Sequence, residues 1–176
     1  MIIGLTGYAQ SGKDTLAGML IGLHKYDNRA FADPIRKLLY EMNPLVKDEY
    51  RVKGIVDAYG WDKAKVEFPE LRNLLQTLGV AARTIFNDQF WISQGLSGLS
   101  AGDKIVITDV RFPNEADAIK ALGGQIWRVK RLGVEAVNEH VSETAMEGYK
   151  VDQIFVNNGS IEDLMALLQA RMRQFL

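Results

Sequence analysis

Two glycines, a lysine and an aspartate lie close together near the start of the chain, in Gly7-Tyr8-Ala9-Gln10-Ser11-Gly12-Lys13-Asp14-Thr15. The spacing matches G-x-x-x-x-G-K, the pattern of a loop that wraps phosphate groups between a strand and a helix. Glycines let the backbone curl until N–H groups converge on an anion, and the helix that follows adds partial positive charge. The segment from Gly7 through Ala9, Gln10, Ser11, Gly12, Lys13 and Asp14 to Thr15 is thus built to hold the phosphates of a nucleoside triphosphate. Lys13 reaches the β- and γ-phosphates in this reading. Asp14 stands where a Ser or Thr usually holds magnesium, and Thr15 comes one place later. A carboxylate is a good ligand for a hard cation, so Asp14 is a candidate Mg²⁺ contact, direct or through water. The plainer alternative is a glycine-rich turn in which Lys13 and Asp14 merely cap a helix.

A second carboxylate, Asp109, ends the apolar run Lys104-Ile105-Val106-Ile107-Thr108. An aspartate at a strand end can hold magnesium or orient an acceptor, or serve only as a loop or cap residue. Arg111 close by is able to grip a phosphate in bidentate fashion. Phe112 fits either stacking on a base or the core. Arg72, Gln76, Gly79 and Arg83 fall within roughly 60° of one another at about 100° per residue, a stripe that suits an acceptor phosphate or a solvated helix face. Arg131 closes a strand on the same expected edge, where a cation can neutralise charge during transfer. His140 carries some functional weight and His24 reads as a surface residue. Trp61, Trp91 and Trp127 read as packing residues.

These side chains need a frame. Ile2–Thr6 reads as a buried strand and Thr15–Leu23 as a helix. A short strand is expected over Arg29–Ala32. A helix then runs to about Met42, with Asp33 as its cap and Pro34 at its first position. Residues 44–69 read as an inserted helical lobe and Glu70–Phe86 as an amphipathic helix, with a further helix over Gln89–Leu96. Beyond Asp109, Pro113 opens a helix that stops at Gly123-Gly124. Gln125–Arg131 and Ile154–Val156 follow as strands, and Ser160-Ile161-Glu162-Asp163 reads as a capping box for the last helix. Alternating strands and helices imply an α/β fold with a mostly parallel central sheet and helices on both faces. Ligands bind such sheets beyond the carboxyl ends of the strands, which places the Gly7 loop and Asp109 on one edge.

The chain has 176 residues, 47% hydrophobic and 24% charged, with a net charge of −1 and no cysteine. A single domain over 1–176 is expected. Near-neutral charge argues against a nucleic-acid polymer as partner, and small nucleotides remain compatible with local basic clusters. Disulfides, cysteine zinc sites and a cysteine nucleophile are excluded. No apolar run approaches a membrane span and no basic n-region opens the chain, so a cytoplasmic protein without a membrane partner is expected. The oligomeric state stays open, a homodimer included.

The blocks Gly7–Thr15, Phe31-Ala32-Asp33-Pro34-Ile35-Arg36, Leu74-Leu75-Gln76-Thr77-Leu78-Gly79, Asp109-Val110-Arg111-Phe112-Pro113-Asn114-Glu115 and His140-Val141-Ser142-Glu143 together resemble the deoxynucleoside monophosphate kinases of tailed bacteriophages. These belong with the adenylate-kinase-like P-loop kinases, and the Gly-Lys-Asp-Thr variant of the loop is characteristic of them. The resemblance implies a P-loop NTPase three-layer sandwich; the inserted lobe (44–69) has no counterpart among the matching blocks, and a small lid is read over 131–142. The resemblance also implies transfer of the ATP γ-phosphoryl group to a deoxynucleoside 5′-monophosphate with Mg²⁺ as cofactor, in the host cytoplasm if the source is a phage. Lys13, Asp14, Asp109 and Arg131 would be catalytic, and Asp14 and Asp109 would hold the metal. Asp33, Arg36, Arg72, Gln76, Arg83, Arg111 and Glu143 would bind the monophosphate. Other kinases of the fold, acting on ribonucleotides or dephospho-coenzyme A, and a non-catalytic nucleotide switch are the competing readings.

Overall fold

The computed structural model describes residues 1–135 and 144–175. The chain divides into two compact units, one made of Met1–Ala30 with Gly98–Leu176 and the other of Phe31–Ser97.

The first unit is built on five parallel strands: β1 (Ile2–Thr6), β2 (Asp27–Arg29), and three we number β5 (Ile105–Ile107), β6 (Gln125–Lys130) and β7 (Gln153–Val156). Their order across the sheet is β2-β5-β1-β6-β7. β1 is buried along its whole length, as a central strand covered on both faces must be. Alternation divides its side chains between two layers. Ile3 and Leu5 join Leu16, Ala17, Met19 and Leu20 of α1 (Lys13–His24) and Leu164, Leu168 and Met172 of α7 (Ile161–Met172) in one core. Toward the other face, Gly4 leaves space filled by Ile119 of α6 (Pro113–Ala121), Ile126 and Val110. Helix, sheet and helix thus form three layers. β1 lies between β5 and β6, whose connecting helix α6 covers the face opposite α1. The chain thus reverses direction across the sheet at β1, and its carboxyl end is the switch-point crevice of an open α/β sheet.

The second unit holds α2 (Ala32–Met42), the antiparallel ribbon β3 (Leu45–Val46) and β4 (Tyr50–Arg51), α3 (Val52–Glu67), α4 (Pro69–Ile85) and α5 (Phe90–Gly95). Its core joins Leu39, Val46, Val52, Ile55, Ala64 and Leu71, with Trp61, Leu74, Leu75 and Leu78 packed against it. The leucine periodicity of α4 therefore faces inward, as its spacing predicts. Two local expectations need correction. The strand before α2 covers Asp27–Arg29 and not Arg29–Ala32, because Asp27, Asn28 and Arg29 find partners in Ile105, Val106 and Ile107. α2 begins at Ala32 with Phe31 at the cap position, so Asp33 sits in the first turn and pairs with Arg36 at 3.2 Å.

Polar contacts fix two turns of the first unit. The capping box of α7 forms as its spacing predicts: Asp163 N donates to Ser160 Oγ at 3.2 Å and Ser160 N donates to Asp163 Oδ2 at 2.8 Å. The turn at Met146–Tyr149 is tied down by Arg128 of β6, which donates to the carbonyls of Met146, Glu147 and Tyr149. Tyr149 donates its phenol to Asp117 of α6 at 2.7 Å. Among the described residues, no helix is long and apolar enough to cross a membrane.

Ser160→Ala removes one cap acceptor and is expected to lower stability by about 1 kcal/mol, measured by urea unfolding. Burial, and the hydrogen bond donated to Asp117, push the Tyr149 phenol from 10.0 up to about 12. A phenol whose folded value is raised stabilises the fold fully below its unfolded value, and that share is lost as pH climbs through the folded one. Unfolding free energy should therefore decline between these two pH values, and Tyr149→Phe should make the decline shallower; an unchanged slope would contradict the assignment.

Candidate functional site

The phosphate loop is held in shape by the sheet around it. β1 delivers the chain to Gly7, whose φ is 137°. A Cβ there would collide with the Val129 carbonyl of β6, and Ser11 Oγ would lie 3.1 Å away. Only glycine fits both the angle and the space. Gln10 also takes a positive φ, 62°, and Gly12 caps α1 at φ 104°. Gly12 offers no side chain to cap α1, and the first N–H groups of the helix, which have no intrahelical partner, adjoin the loop that leads into it. Lys13 folds back over the loop and donates to the carbonyls of Gly7 at 2.6 Å and Tyr8 at 2.7 Å. The ammonium is therefore held against the first two residues of the loop. Ser11 is buried, and its Oγ has no hydrogen-bond partner among the described residues. Ala9, Gln10, Asp14 and Thr15 are exposed at the rim.

Asp109 arrives on the neighbouring strand. Val110 N donates to Leu5 O at 3.1 Å, so the chain leaving β5 runs beside the last residues of β1, and Asp109 lies at the same carboxyl edge as the loop. The buried carboxylate of Glu115 shapes the following turn: its Oε2 accepts from Arg111 N at 2.8 Å and Phe112 N at 3.1 Å. Those two amides precede α6, and their tie to Glu115 leaves Arg111 exposed. On the other side of β1, Arg128 pairs in register with Thr6 and Arg131 follows the end of β6, exposed. The loop is thus flanked by Asp109 from β5 and Arg131 from β6. Arg128 is turned to the carbonyls of the Met146–Tyr149 turn, and burial pushes its guanidinium below the usual value. Its role is to hold that turn. Tyr8, inside the loop, donates to Glu147 of the same turn, and this bond together with burial raises its phenol.

In the second unit, α4 carries Arg72 exposed, with Gln76 and Arg83 half-buried. Gly79 packs beside Ile35 of α2, whose Cδ1 would lie 3.6 Å from an added Cβ, and its carbonyl accepts from Trp91 Nε1 at 2.9 Å. A Cβ there would make only ordinary contact with Ile35, so helix packing does not by itself require the glycine within the stripe. Arg36 and Asp33 stand on the first turns of α2. Glu143 and His140 lie outside the described residues, as does the part of the expected lid beyond residue 135.

The oxygen donors fit magnesium. Asp14 and Asp109 supply carboxylates and Thr15 a hydroxyl, all hard ligands. Among the described residues no cluster of three or more His, Cys, Asp or Glu forms a metal cage. Mg²⁺ typically takes one or two carboxylates and completes its shell with water and substrate phosphates.

Several contributors escaped the sequence reading. Glu115 stands three residues after Phe112, a capping-box spacing, and that signal was available. Asn157 and Asn158 belong to an Asn-Asn-Gly turn, but nothing local shows what they touch. Asn157 Nδ2 donates to Ser11 O at 2.9 Å across the loop, and Leu132 N donates to Asn158 Oδ1 at 2.7 Å.

Comparison with known proteins gives a consistent result. The family model for deoxynucleotide monophosphate kinase matches residues 61–168. A protein of Acanthamoeba polyphaga mimivirus carrying the same family designation is 33% identical over 93% of this chain and 91% of its own length. The deoxynucleotide monophosphate kinase of Escherichia phage RB69 is 28% identical over 58% of this chain, a match that spans 45% of the phage protein. Among solved structures, dephospho-CoA kinase from Campylobacter jejuni superposes with a TM-score of 0.51 at 15% identity, covering 99% of this chain and 96% of that one, which supports the kinase-like α/β fold. With the family model matching more than half of its length and a relative aligned along nearly all of it, the chain belongs to the deoxynucleotide monophosphate kinase family.

Proposed function

We propose that this kinase transfers the γ-phosphoryl group of ATP to the 5′-phosphate of a deoxynucleoside monophosphate. A phosphate oxygen of the acceptor attacks the γ-phosphorus, the bond to the β–γ bridging oxygen breaks, and ADP leaves with a deoxynucleoside diphosphate as the other product. The observation that carries the reading is the phosphate loop itself, with Lys13 bent over the Gly7 and Tyr8 carbonyls and Asp109 and Arg131 to either side of β1.

The residues divide by task. Gly7, Ala9, Gln10, Ser11, Gly12 and Thr15 line the triphosphate with backbone N–H groups and a hydroxyl. Lys13 and Arg131 neutralise charge that builds on the transferred group, the main catalytic contribution in phosphoryl transfer. Asp14 and Asp109 would hold Mg²⁺, which when bound neutralises charge on the donor phosphates. Asp33, Arg36, Arg72, Gln76, Arg83 and Arg111 serve the acceptor. Arg72 and Arg83 lie about 16 Å apart along α4 at 1.5 Å per residue, so the stripe is longer than a single phosphate. One arginine serves the phosphate and the rest of the stripe accommodates the nucleoside. The reaction needs little covalent help from the protein; it needs donor and acceptor held in line.

A coupled assay of ADP release with deoxynucleoside monophosphates, ribonucleoside monophosphates and dephospho-coenzyme A separates this reading from its rivals. Deoxynucleoside monophosphates should stimulate ADP formation well above the ATP-only rate; no stimulation by any of them would end the proposal. Lys13→Ala should lower kcat by about 10²–10³-fold with little change in acceptor KM, and wild-type turnover in that variant would remove the loop from the chemistry. Arg83→Ala should mainly raise acceptor KM; unchanged KM and kcat would make the stripe a surface only.

A further inference from the structure

The turn after β7 touches the phosphate loop from outside, and its chemistry assigns it a task. Asn157 N donates to Lys130 O at 2.7 Å, which fixes the turn to the end of β6. The Asn157 side chain then reaches the loop: Nδ2 donates to Ser11 O at 2.9 Å. It also occupies the space a Cβ on Gly12 would need. The next residue, Asn158, accepts from Leu132 N at 2.7 Å, directly after Arg131. One turn therefore holds the last part of the phosphate loop and the chain that carries Arg131.

A peptide unit is planar and trans, so its carbonyl and its N–H point in opposite directions. Ser11 O and Gly12 N–H belong to the same unit. Holding Ser11 O outward on Asn157 aims the Gly12 N–H the other way, to the side where the donor phosphates bind in the reading above. Without that hold, a carbonyl and an N–H are close in size, and the flipped unit would present an oxygen to the phosphates. Glycine at position 12 makes such a flip easier, because it has no Cβ to resist it.

We propose that Asn157 is a positioning residue for ATP, acting through the Ser11–Gly12 peptide and not by contact with the nucleotide. The inference rests on the phosphate loop being the ATP site. Asp at position 157 keeps the size but loses the donor and turns a carboxylate toward the Ser11 carbonyl. Ala loses both the donor and the filler.

The test is calorimetric titration of ATP with Mg²⁺ into wild type, Asn157→Ala, Asn157→Asp and Ser160→Ala, alongside thermal melting and KM for each nucleotide. Loss of one polar contact should weaken ATP binding about tenfold in Asn157→Ala, and more in Asn157→Asp, with ATP KM rising and acceptor KM unmoved. Ser160→Ala, which loosens α7 three residues along, should lower the melting temperature and leave ATP binding alone. If wild type binds ATP and both Asn157 variants bind it equally well, the inference falls and the proposed function stands. It also falls if ATP affinity in all three variants simply tracks melting temperature. If wild type itself fails to bind ATP, the functional reading falls first and takes the inference with it.

Discussion

Gly7 leaves β1 so close to the Val129 carbonyl that a methyl group has no place there. Much of the first unit is arranged around that contact. It brings the phosphate loop against β6, sets the positive φ with which the loop begins, and leaves Lys13 to cross over the Gly7 and Tyr8 carbonyls. A loop this confined has few conformations to lose when an anion binds. Pre-organisation of that kind is what electrostatic catalysis asks of a phosphate cradle, since groups already in place need not rearrange as charge develops.

The sheet order turns the confinement into an arrangement of charge. β1 has β5 on one side and β6 on the other, and parallel strands bring all three carboxyl ends to one edge. Asp109 leaves β5 there and Arg131 leaves β6, so a carboxylate suited to a metal and a cation suited to phosphate lie to either side of the loop. The polar groups that are not offered to a ligand are used for support. Glu115 holds two amides before α6, Arg128 holds three carbonyls, and Tyr8 is tied to Glu147. The second unit is a separate helical core whose α4 turns leucines inward and leaves arginines outside or half-buried.

What the amino-acid sequence makes legible follows the range of the interactions. The strand, glycine loop and helix at residues 2–24, the leucine face of α4 and the Ser160–Asp163 box all arise from contacts a few residues apart, and each appears as expected. The start of α2 does not, because Asp33 has a competing partner in Arg36 within the same turn. Arg128 is in sequence one basic residue of the strand before Arg131, and the carbonyls that claim it are 18 to 21 residues away. The Asn157 contact joins residues 146 apart, and Tyr8 and Glu147 are 139 apart. No local pattern encodes such pairs. The strand–loop–helix frame was therefore readable, while the residues that keep the loop in shape became visible only in the folded chain.

In the proposed reaction the γ-phosphoryl group moves from ATP at this loop to a deoxynucleoside monophosphate. Incubation with ATP labelled in the γ-phosphate, followed by chromatographic separation of products, tests it most directly. Label is expected in the deoxynucleoside diphosphate, with ADP formed in equal amount. Label found only in inorganic phosphate, or retained in ATP with every deoxynucleoside monophosphate offered, would contradict it.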